Sequence, residues 1–132
     1  MSNALNLLLS KDRSKLELPT KKVEIKRLTE QLGEPVYFTI RALTSAEYTK
    51  VRELCNKDED GDKSLFEIHS VIAGLVDPSL KDKELQQHFN VGTPKSLLED
   101  AQFLVPGEIS ELAEKIAEMS GYGKDMVAEV KN

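Results

Sequence analysis

The sequence contains no tryptophan, and aromatic residues make up only 5% of its 132 positions. Its core must therefore rest on Leu, Ile and Val. A single cysteine, Cys55, excludes an internal disulfide framework. Long hydrophobic runs are missing too. Near the start the longest is Leu7 to Leu9, extended only by Ala4 and Leu5, with no basic residue before it. That is too short and wrongly flanked for a signal peptide, and nothing approaches a membrane span. These absences point to a reducing cytoplasm. Enzymatic signatures are equally scarce: there is no HExxH, no GxSxG and no phosphate-binding glycine loop. The two histidines, His69 and His88, fall on separate predicted helices without catalytic partners. The chain is read as non-enzymatic, with no cofactor.

What is present suits one soluble domain of ordinary core size. Apolar residues account for 39% of the chain and charged residues for 31%. The net charge of −5 is unevenly spread. Residues 1–27 hold seven Lys/Arg against three Asp/Glu (+4), and the remainder holds eleven against twenty (−9). A basic front and an acidic body favour a solvated arm; the alternatives are an acidic partner or head-to-tail pairing with a second copy.

The clearest pattern runs from Val23 to Cys55. Alternation predicts a strand over residues 21–28, with Val23 and Ile25 on one face, a turn around Gly33-Glu34-Pro35, and a second strand over 36–42 with Val36, Phe38 and Ile40 inward. Thr44-Ser45-Ala46-Glu47 then reads as a capping box. It opens a helix to about Cys55 that turns Tyr48, Val51 and Cys55 inward. Further helices are expected over 64–75, over 80–89 capped by Ser79, from Pro94 capped by Thr93, and over 108–120 ending at Gly121. The expected fold is α+β and mostly helical: an N-terminal antiparallel β-hairpin packed against about five short helices. The expected organisation is a flexible N-terminal segment and linker (1–19), a single α+β domain (20–122) and a C-terminal tail (123–132).

Three features could carry function. Residues 56–67, NKDEDGDKSLFE, match a twelve-residue calcium loop, with Asn56, Asp58, Asp60 and Glu67 at ligand positions and Gly61 at the turn. Asn at the first position and Lys63 at the eighth depart from that pattern, and no second loop is present to pair with it. A polar helix-to-helix turn is the favoured reading, so no metal ligands are assigned; a calcium-responsive helix-loop-helix binding module stands as an alternative. The arm from Lys11 to Arg27 is basic but lacks interleaved aromatics, and the acidic body repels phosphate, which disfavours nucleic acid. The third feature is apolar. Leu5, Leu8 and Leu9 share one face of a short N-terminal helix, and Met119 and Tyr122 lie at the end of the last helix. These five residues are the candidate partner-binding positions, the alternative being that the leucines dock on the chain's own core.

Several segments, in order, carry a resemblance: Val23-Glu24-Ile25-Lys26-Arg27-Leu28, Gly33-Glu34-Pro35, the run from Phe38 to Tyr48, Asp77-Pro78-Ser79-Leu80 through Leu85, Gly92-Thr93-Pro94, Leu104 to Ile109, and Ser120-Gly121-Tyr122. Together, over about residues 20–122, the chain resembles the XkdN-like tail assembly chaperones of long-tailed phages and prophages. The resemblance implies a protein that binds the tape measure protein and keeps it soluble until the tail tube forms around it. Such a protein works in the host bacterial cytoplasm and is absent from the mature virion. It also implies a frameshifted longer form that recruits the tail tube protein. A homo-oligomer is open, and a small nucleic-acid-binding phage protein is the other alternative.

Overall fold

A computed structural model of the chain describes residues 3–57, 63–123 and 125–130. The fold is α+β and mostly helical. Strand β1 (Thr20–Glu24) pairs antiparallel with β2 (Tyr37–Arg41), placing Val23 opposite Phe38 and Lys21 opposite Ile40. Phe38 and Ile40 are buried while Tyr37 is exposed, so β2 has the one wet face its alternation predicts.

Two elements of the sheet region differ from the sequence expectation. The first strand does not run on to Leu28: it stops at Glu24, and helix α2 (Lys26–Leu32) occupies the predicted turn. Buried Ile25 begins that helix, and its N–H still donates to the Val36 carbonyl at 3.0 Å. At the other end Gly33 adopts φ +77° and donates to the Thr29 carbonyl, a left-handed stop that favours glycine. The connection is thus a helix with its own start and stop.

The second difference is an added strand. Helix α4 (Lys63–Gly74) leads directly into β3 (Leu75–Asp77), which pairs antiparallel with the free side of β2. The sheet order is β1-β2-β3. Leu75 ends an apolar helical stripe in sequence, but pairing beside Thr39 and Ile40 draws Leu75–Asp77 into the sheet.

Helix α3 (Ser45–Lys57) packs on α4, and α4 packs on α7 (Pro106–Met119), which also touches β2. At the α4–α7 contact Gly74 meets Ile116: a Cβ there would lie 2.7 Å from the Ile116 Cδ1. Helix α5 spans Lys83–His88 and is capped by Asp82, whose carboxylate accepts from the Leu85 N–H, so the predicted start at Leu80 is three residues early. Leu80 is instead fully buried, and the buried Gln86 amide donates to its carbonyl at 2.8 Å. Helix α6 (Pro94–Glu99) is capped by Thr93 as its sequence predicts. The main core joins Phe38, Ile40, Val71, Leu80, Leu97, Leu112 and Ile116. A smaller cluster holds Val51, Cys55 and Leu65.

Helix α1 (Asn3–Ser10) and a 3-10 turn over Arg13–Lys15 precede the sheet. Neither contributes a buried residue.

Candidate partner-binding surface

Two arginine–glutamate pairs tie separate elements of the fold together. The Arg27 guanidinium, at the start of α2, donates from Nε and Nη2 to both oxygens of Glu108 and from Nη2 to the Phe103 carbonyl, all at 2.9–3.0 Å. Its Nη1 reaches Gln31. Glu108 in turn accepts from the Val105 N–H and so caps α7. Burial pushes the Glu108 carboxyl up, but Arg27 and that backbone hydrogen bond together hold it below its ordinary value. This planar, two-pronged contact locks the entry of α7 against the start of α2.

A second fork joins Arg41, at the end of β2, to Glu47 in the first turn of α3. Glu47 also accepts from the Thr44 N–H at 2.9 Å, while the Thr44 hydroxyl accepts from the Glu47 N–H at 3.2 Å. The predicted capping box is therefore present, with Arg41 added to it. Hydrogen bonding by Arg41 is the largest influence on Glu47, lowering its pKa to about 2. At the far end of α7 the Ser120 hydroxyl accepts from the Leu43 N–H at 2.9 Å and donates to the Ile116 carbonyl. Next to it the Tyr122 ring meets Tyr48 edge-on, with centroids 5.3 Å apart. These motif residues serve the scaffold.

The candidate positions divide. Leu5, Leu8 and Leu9 share α1 and are all more than half exposed, Leu9 at 76%. They do not dock on the main core, which takes no residue from α1. Met119 packs against that core, whereas Tyr122 is half exposed while leaning on Tyr48. The first group lies on α1, the second at and just past the end of α7. Sequence reasoning also passed over Leu7, which is 54% exposed. The i, i+3, i+4 rule places it off the stripe, but four leucines within five residues were a visible signal. Past α7, Met126, Val127 and Val130 are exposed as well.

A cleft of about 320 Å³ lies beside β1, lined by Val23, Ile25 and Leu112 together with Lys26, Glu111 and Lys115. It pairs apolar walls with charges of both signs and contains no nucleophile–base pair. His69 lies on α4 and His88 on α5, where His88 packs edge-on to Phe89. Cys55 is buried in the small cluster. Among the described residues no group of three His, Cys, Asp or Glu side chains is placed to hold a metal ion, and no helix is long and apolar enough to cross a membrane. Asp58, Asp60, Gly61 and Asp62, the centre of the calcium-like loop, lie outside the described residues.

Comparison with known proteins supplies the rest. A family model described as phage XkdN-like tail assembly chaperone protein matches residues 5–131, which takes in the exposed leucines and the tail. The fold is similar to the crystal structure of the protein yqbn, with a TM-score of 0.57 and 22% identity, covering 80% of this chain and 89% of that one. No curated protein matches the sequence.

Proposed function

Because the chain belongs to the XkdN-like family of phage tail assembly chaperones, we propose that it binds the tape measure protein, keeps it soluble, and assists assembly of the tail tube around it. It acts without catalysis, in the host cytoplasm, and leaves before the virion is complete. A longer frameshifted form brings in the tail tube protein; a slippery site near the end of the reading frame is the sign to look for.

The observation that supports this reading is the exposed apolar helix α1, held outside a core that is otherwise closed. A long helical partner displays apolar stripes before it is packed, and such stripes aggregate. Helix-to-helix contact hides them, and each leucine side chain so buried contributes roughly 1.5–3 kcal/mol. The test is co-expression with the tape measure protein of the same phage, read as soluble tape measure protein and co-elution on a sizing column. Soluble, co-eluting tape measure protein is the expected result. Equal precipitation with and without this chain and its longer form refutes it.

A further inference from the structure

We infer that α1 inserts into a groove between two partner helices whose rims carry acidic side chains; this rests on the tape measure reading and specifies what the partner must present. The first argument is the width of the apolar surface. At about 100° per residue, Leu7, Ala4, Leu8, Leu5 and Leu9 sweep roughly 200° around the helix axis. A helix lying on one flat surface needs an apolar stripe only about half as wide. The remaining arc carries Asn3, Asn6 and Ser10, and the Ser10 hydroxyl is already engaged by the Leu7 carbonyl. Leu7 and Leu8 stand on different sides of α1, yet they are 54% and 59% exposed. Neither side is turned toward the chain's own core. One partner helix would cover Leu5, Leu8 and Leu9 and leave Leu7 in water; two helices cover all four.

The second argument is charge. Helix α1 carries no charged residue. Immediately after it come Lys11, Arg13 and Lys15, all exposed. The one acid among them, Asp12, is engaged as the cap of the 3-10 turn, accepting from the Ser14 N–H at 3.1 Å. The basic collar therefore meets whatever rims the groove at the end of α1, while the acidic remainder of the chain repels an acidic partner elsewhere. Acidic rims thus fix both the site and the direction of docking.

Variants in α1 and its collar test this without disturbing the core. Full-length Leu7→Ser, Leu8→Ser and Lys11→Glu/Arg13→Glu/Lys15→Glu chains are co-expressed with the tape measure protein, and affinities of the recovered complexes are measured at low and high salt. The expected result is that Leu7→Ser and Leu8→Ser each weaken binding by about tenfold or more. The charge-reversed triple should weaken it by about tenfold at low salt and less at high salt. If Leu7→Ser binds like the wild type while Leu8→Ser does not, docking is one-sided and the two-helix groove is wrong. If charge reversal changes nothing, the acidic rim is wrong. Either failure leaves the chaperone reading intact. If the wild-type chain alone sizes as an oligomer that Leu7→Ser dissociates, a second copy covers α1 and the inference falls. Failure of the wild type to hold the tape measure protein removes both readings together.

Discussion

Between Thr20 and Met119 most large aliphatic side chains are turned inward, and two arginine–glutamate pairs tie elements to one another. Before Thr20 and after Tyr122 the pattern reverses: Leu5, Leu7, Leu8, Leu9, Met126, Val127 and Val130 stand exposed. The two regions have similar kinds of apolar residue but different neighbours. In the scaffold most large apolar side chains are packed into a shared core. Helix α1 has only eight residues, none of them buried, and a helix that short is marginal alone in water. Retaining four leucines there makes sense if something else covers them. The scaffold holds a shape; the ends, on the proposed reading, are kept for a partner.

The sharpest way to break this contrast is to remove core volume. Ile116 is fully buried against Gly74 and the sheet-facing core. Ile116→Ala should lower unfolding free energy by about 2–5 kcal/mol, measured by urea titration. A smaller loss would show that α4 and α7 are not the closed pair described here. Gly74→Ala approaches the same contact from the other side. The added methyl meets three Ile116 carbons at 2.7–3.1 Å, so the fully buried Ile116 side chain must shift to make room. A loss of about 1–3 kcal/mol is expected.

The two arginine forks come next. Arg27→Met removes the contacts to Glu108, Gln31 and the Phe103 carbonyl while leaving Glu108 as a cap. The pair is partly exposed, with side chains at 30% and 17%, so water screens part of its strength. About 1–2 kcal/mol should be lost. Glu47 gives the same contrast a pH signature. Its folded pKa, about 2, lies below the ordinary 4.5. A depressed carboxyl pKa contributes stability that is fully present above 4.5 and is lost as pH falls toward 2. Glu108, shifted in the same direction, adds to the loss. Unfolding free energy should therefore fall over that window. Glu47→Gln should flatten the fall by about 1–2 kcal/mol after allowance for solvent screening. An unchanged acid limb would mean that Arg41 and Glu47 are not joined in solution.

Features whose cause is local were legible in the sequence. Thr44 and Glu47, Thr93 before Pro94, and the inward faces of β2 and α3 depend on residues within one turn or one strand, and each is present. Features decided by distant contacts were not. Lys26–Leu32 is too short to display helical periodicity between two strands, and Gly33 was read as a turn rather than a helix stop. Leu75–Asp77 became a strand only because β2 had an open edge. Asp82 took the cap assigned to Ser79 because Leu80 was drawn into the core. The partner surface shows the same division. The leucine stripe was visible, but its exposure, and the equal exposure of Leu7 on the other side, required knowing that no core residue packs there.

The smallest expected effect on stability tests the contrast most directly. Deleting residues 1–12 removes four exposed leucines and no buried side chain of the described segment. Surface changes of this kind usually stay within about 0.5 kcal/mol, so the urea midpoint of the shortened chain should match that of the full chain. Recovery of soluble tape measure protein should collapse over the same deletion. A large stability loss would mean that α1 is part of the scaffold and that its leucines are covered by this chain in solution. Unchanged stability with unchanged recovery would move the partner surface to the other exposed end, where Tyr122, Met126, Val127 and Val130 stand. Unchanged stability with lost recovery is the result that separates a region folding for itself from a region kept for another protein.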